Sequence, residues 1–211
     1  INEPYQSNNV VQVQASDQIA LRRVRMVGPD FENPGNYVIQ EVLKVNQTTN
    51  FSVVDSEITG SYQTALDFVA VHGAQVLRNR MHSAGEWCGY VKGGSANIRV
   101  EGNEMFGCGV GGFAVGEGSD HQFHVAPYVT YETYGVQVVN NVFRDLPGHG
   151  IGVQGGYNTL VAHNTFYNVA QGARGYGLAL VANGSRGCGN QTVCNQYIAL
   201  GGWSSTSSAW P

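Results

Sequence analysis

Charge is scarce in this sequence. Only 12% of its 211 residues are Asp, Glu, Lys or Arg, and the net charge is -4. No basic excess exists of the kind a nucleic-acid surface requires, so nucleic acid is excluded as a partner. Long hydrophobic runs are also missing: none reaches about eighteen residues, so no membrane span is expected. The polar start, Ile1-Asn2-Glu3-Pro4, has no apolar core of a signal peptide, which fits a mature secreted chain and a cytosolic one alike. Cysteine is limited to four residues. Cys188 and Cys194 lie six apart in a Gly/Asn-rich segment, a spacing that suits a small disulfide loop better than a zinc site, since no His is near. Cys88 and Cys108 are offset along the repeat described below, which argues against a bond between them.

Apolar content is ordinary, at 42%, and glycine is abundant, at 29 residues, so the chain folds. One pattern recurs: Asn79-Arg80-Met81, Asn103-Glu104-Met105, Asn141-Val142-Phe143 and Asn164-Thr165-Phe166, with Ser56 fitting the same frame. The steps between these anchors are 23, 24, 38 and 23 residues, and a fixed period in this range marks a solenoid. Each unit has a strand before the anchor, a Gly-rich turn after it, and a second strand ending in Val. That plan predicts an all-β parallel coil of six or seven rungs, each of about 23 residues. Residues 1–36 form an N-terminal cap and first rung, residues 50–190 the regular rungs, and residues 187–211 an irregular end.

Stacked rungs lie about 4.8 Å apart, so equivalent positions touch. The Asn column is therefore an internal amide ladder, and the large apolar residues two positions later form a core stack. The charges beside the anchors, Glu57, Arg80 and Glu104, with Asp55 and Arg78, alternate in sign and read as a structural ion ladder. Residues 117–135 interrupt the repeat with about fourteen extra residues rich in Tyr and His; such insertions often carry binding. Gly107-Cys108-Gly109-Val110-Gly111-Gly112 lacks a following helix pattern, so it is not a nucleotide loop.

The repeats resemble those of right-handed parallel β-helix proteins of the pectin-lyase-like superfamily, and the resemblance supplies the hand of the coil. That superfamily includes lyases, hydrolases, epimerases, phage tailspikes and adhesins, so it leaves the activity open. Glu86 followed by Lys92 is similar to the Glu-then-Lys order of alginate and dermatan lyases of this fold. That resemblance implies Lys92 as a base, Glu86 as a ligand for a cation such as Ca²⁺, and a uronate polysaccharide cleaved by β-elimination. The Arg-His that those families carry on the next rung is replaced here by Gly112-Phe113-Ala114-Val115-Gly116.

Aligning the second strands on Val71, Val91, Val115, Val153 and Val181 puts His72, Tyr90, Lys92 and Gln154 on one exposed strip. The expected site is then Lys92 and His72 as catalytic groups, with Tyr90, Gln154, His121, His124, Tyr128 and Tyr131 holding substrate. A plain solvated strand face is the alternative. Sequons begin at Asn46, Asn50, Asn183 and Asn190 and favour a secreted, glycosylated protein. The second functional class is a non-catalytic structural or adhesive module of a cell surface or filament. With no capping helix at the C-terminal end, self-association or a further stretch of chain is expected to cover it.

Overall fold

In the computed structural model, which describes residues 9–28, 39–119, 123–172, 177, 179–182, 192, 195, 196 and 199, the chain coils as a right-handed parallel β-helix. Three sheets run along its length. The first contains seven strands: Val11–Gln14, Glu41–Asn46, Thr64–Val69, Trp87–Lys92, Gly111–Val115, His149–Gln154 and Ala179–Ala182. The second starts at Ala20–Arg22 and continues through Thr49–Val54, His72–Leu77 and Ser95–Glu101. Beyond these its strands are split, as Thr133–Tyr134 with Gln137–Val139 and Gly156–Tyr157 with Leu160–Ala162. The third runs from Arg25–Val27 through Glu57–Ser61, Arg80–Ala84, Glu104–Phe106 and Val142–Leu146 to Thr165–Val169. Six rungs are completed and a seventh is begun among the described residues.

The anchor column makes the ladder that its period implies. Asn79 Nδ2 donates to Asn103 Oδ1 (3.0 Å), Asn103 Nδ2 to Asn141 Oδ1 (2.9 Å), and Asn141 Nδ2 to Asn164 Oδ1 (3.0 Å). Each of these oxygens also accepts the backbone N–H of the preceding anchor, and Ser56 N–H donates to Asn79 Oδ1. The ladder secures a bend. Asp55, Arg78, Gly102, Asn140 and His163, each one residue before an anchor, all have φ between 53° and 68°. A side chain in that left-handed region costs about 1–2 kcal/mol, and the buried amides hold the chain there.

Two positions past the anchor, Met26, Ile58, Met81, Met105, Phe143 and Phe166 are stacked in register inside the coil. Outside the third sheet the charges pair as the alternation implies: Arg25 with Glu57 (2.6 Å), and Glu104 with both Arg80 (3.0 Å) and Arg144 (2.7 Å). Asp55 pairs with Arg78 at 2.7 Å. Arg25, Arg78 and Arg80 are exposed and their partners are partly open to solvent, so each pair contributes little to stability.

Two expectations are corrected. The column that carries Val91, Val115, Val153 and Val181 is continued by Phe68 and Val45, not by Val71. Phe68 fills the core position, and the strand ends before Val71, so His72 opens a strand of the second sheet and is off the Lys92 strip. Cys88, fully buried, is bonded to Cys108 despite the expected offset, across a Cα–Cα distance of 5.5 Å. Counting along the rungs missed the corner between the third and first sheets, which folds Cys108 of one rung over the start of the strand below.

Candidate functional site

The inserted segment leaves the first sheet after Val115 and rejoins the coil at Thr133–Tyr134. It is anchored over the corner that follows Lys92. Gly93 and Gly94 turn this corner with φ of 64° and 75°. A Cβ on Gly94 would lie 2.0 Å from the Tyr128 carbonyl oxygen, so the segment packs where only glycine leaves room. Glu132, 1% exposed, is the clasp. Its carboxylate accepts the N–H of Gly93 (3.0 Å) and of Ser119 (2.6 Å), and His124 Nε2 stands 3.7 Å away. Its backbone carbonyl accepts the Gly94 N–H at 2.8 Å. Burial alone would push this carboxyl up; His124 and the two backbone donors outweigh that and hold it below the ordinary carboxylate range.

On the second-sheet side of the corner the segment builds a row of rings. Register stacks His72, Ala96, Tyr134 and Tyr157 on successive rungs. The next residues, Gly73, Asn97, Gly135 and Asn158, all have positive φ, a repeated bend at this edge. Ala96 offers no ring, and there Tyr128 of the inserted segment fills the row, 4.8 Å from the His72 ring and 4.9 Å from that of Tyr134. Tyr131 stacks on Tyr157 at 5.0 Å and meets Tyr134 edge-on at 5.4 Å.

The rings are fixed from behind. Tyr134 Oη accepts the N–H of Thr130 (2.7 Å) and Tyr131 (2.8 Å), and Tyr128 Oη accepts from Asn97 Nδ2 (3.2 Å). His72 Nε2 donates to the Gly94 carbonyl (3.2 Å); burial holds this imidazole below its ordinary value, against the pull of that bond. The outer end of the row is open, with Tyr157 55% exposed.

On the first-sheet side lies a cleft of about 390 Å³ between the inserted segment and the outer face of the sheet. Lys92 lines it, with its Nζ 3.1 Å from Glu117 and 4.2 Å from the centre of the Tyr90 ring. Lys44 lines it too and pairs with Asp67 and Glu41. Burial pushes the Glu41 carboxyl up despite Lys44, and it pushes the Tyr90 phenol well above its usual value, with Asp67 and Glu41 adding to the effect.

Residues 36–197 match the family model described as the right handed beta helix region. The chain belongs to that family. No curated protein matches the chain. The β-helix match covers most of the sequence and agrees with three wholly parallel sheets, but it carries no activity.

Within this β-helix the residues singled out from sequence fall into separate places. His72, Tyr128 and Tyr131 come together in the ring row, where Tyr134 and Tyr157 join them. Lys92 sits on the other side of the corner, in the cleft. Tyr90 is 4% exposed beneath it, so its ring is closed to a ligand. Gln154 lies on the same outer column as Lys92, two rungs on. His124 is buried against Glu132 and belongs to the clasp.

Glu86 precedes the strand that Lys92 ends. At about 3.3 Å per residue the two are roughly 20 Å apart along it. No group of three or more His, Cys, Asp or Glu able to hold a metal occurs among the described residues. Asn46 is half-buried at the cleft, while Asn50 is exposed and donates to Asp17 at 2.9 Å. His121, Asn183, Asn190, Cys188 and Cys194 lie outside the described residues.

Proposed function

We propose that this β-helix is a non-catalytic module that binds an extended polysaccharide outside the cell. The observation that carries the reading is the ring row His72–Tyr128–Tyr134–Tyr131–Tyr157, spread over successive rungs and held rigid by hydrogen bonds from behind. Sugar rings offer an apolar C–H face and a rim of hydroxyls; tyrosine offers an apolar face and a polar tip. A row repeating at the rung spacing suits a polymer better than a single small molecule. Rings already fixed in place lose little freedom on binding. The buried disulfide and the exposed sequon at Asn50 support an oxidising, extracellular setting.

The arrangement around Lys92 favours binding over cleavage. A β-elimination base must reach the substrate with a free amine, and Lys92 is committed to Glu117 and the Tyr90 ring. His72 is on another sheet and Glu86 at the far end of the strand, so the groups a lyase would need do not converge. The test is affinity electrophoresis through gels that contain neutral or uronate polysaccharides, paired with ultraviolet absorbance for unsaturated products. Retardation without absorbance supports the proposal. Accumulating unsaturated product that disappears with Lys92→Ala overturns it in favour of a lyase.

A further inference from the structure

The cleft on the first-sheet side is separate from the ring row and has its own chemistry. Its floor is the outward column Gln14, Asn46, Val69 and Lys92, and its roof is the inserted segment, with Ser119 and Phe123. Two buried polar atoms of its lining lack a hydrogen-bond partner: Asn46 Oδ1 and Ser119 Oγ. Ser119 is only 5% exposed, so leaving that hydroxyl unsatisfied is costly. Phe123, 50% exposed, presents a ring at the rim.

The charges disfavour a ligand that brings its own carboxylate. Lys92 is matched by Glu117, and Lys44 by Asp67 with Glu41 alongside. Two ammonium groups thus face three carboxylates. Burial pushes Glu41 toward its neutral form, and even then no positive excess remains. An acidic sugar would find no uncommitted cation. Its carboxylate only accepts hydrogen bonds, and the unfilled Asn46 Oδ1 also only accepts. A neutral hydroxyl can donate to Asn46 Oδ1 and either donate to or accept from Ser119 Oγ. A pyranose ring lying against Phe123 would supply such hydroxyls at its edge.

We infer that this cleft is a binding site for one neutral, hydroxyl-rich sugar ring, and that it sets the protein's preference for uncharged over uronate glycans. The inference rests on the glycan-binding reading only for the class of ligand; its residues are different. The deciding experiment is NMR titration of the intact chain with methyl glucoside, methyl galactoside and methyl mannoside, and separately with methyl glucuronide. The side-chain amide signals of Asn46 and Gln14 report the cleft, and the tyrosine ring signals report the row.

Saturable shifts of the Asn46 amide with a neutral glycoside, absent with the glucuronide, are expected. Ser119→Ala should weaken that binding by roughly threefold to tenfold, the effect of one lost hydrogen bond, and Phe123→Ala should weaken it comparably. A silent Asn46 amide with all neutral glycosides, while a polysaccharide still moves the ring signals, overturns the cleft and leaves the row standing. Equal binding of the glucuronide overturns the preference.

Discussion

Asn103 is the clearest case of one side chain doing several jobs. Its Oδ1 accepts the Asn79 backbone N–H and Nδ2, while its own Nδ2 donates to Asn141 Oδ1 and the Val76 carbonyl. Asn103→Ala strips partners from several buried groups at once. Each such group costs about 1–3 kcal/mol, so a loss of about 2–5 kcal/mol in denaturant unfolding is expected. Alanine at an exposed, unladdered position such as Gln75 should leave stability unchanged within measurement. The ladder was legible in the sequence because its residue type recurs at the rung period. The ring row was less so. Tyr134 and Tyr157 are 23 residues apart and in register, so applying the same period to tyrosines would have paired them. Tyr128 could not be placed that way, because it reaches the row from an insertion that obeys no period.

At the scale of elements, the inserted segment stands or falls with its clasp. Gly94→Ala places a methyl 2.0 Å from the Tyr128 carbonyl and strains a φ of 75°. The segment must then shift, with loss of the near-ultraviolet circular dichroism of its tyrosines. The coil below should unfold at nearly the same denaturant concentration, since its core columns are untouched.

Acid should act on the same clasp. Glu132 is held below its ordinary value of 4.5 when folded. Its stabilisation is therefore fully present above that value and is lost as pH falls through the lower folded-state value. His72, held below 6.5 by burial, contributes a loss of the same sign as pH falls below 6.5. Tyrosine circular dichroism should therefore fade on acidification before the far-ultraviolet strand signal, and Glu132→Gln should weaken the clasp already at neutral pH. Strand alignment was legible except where a phenylalanine occupied a valine column, at Phe68. That slip carried His72 onto the wrong strip. The Cys88–Cys108 bond was hidden for a related reason: sequence spacing measures distance along the coil, and the corner shortens it.

For the whole molecule, the period dictated the architecture almost completely, because every rung repeats the same bend, ladder and core positions. Function does not repeat. The proposed binding surfaces gather where the repeat is broken, and in the regular strand beside the break Tyr90 is a buried ring and Lys92 a committed ion pair. The fold supplies a rigid, regularly spaced frame, and the insertion converts one corner of it into a ring row on one side and a cleft on the other.

The most direct measurement compares polysaccharide affinity of the native chain with that of a Tyr131→Ala/Tyr157→Ala variant by isothermal titration. Both rings lie on the outer part of the row, so the coil should keep its unfolding transition. A loss of roughly twofold to twelvefold per ring is expected, from about 0.5–1.5 kcal/mol per aromatic contact. Equal affinity in the two proteins, or no binding of any polysaccharide by the native chain, would contradict a glycan-binding ring row.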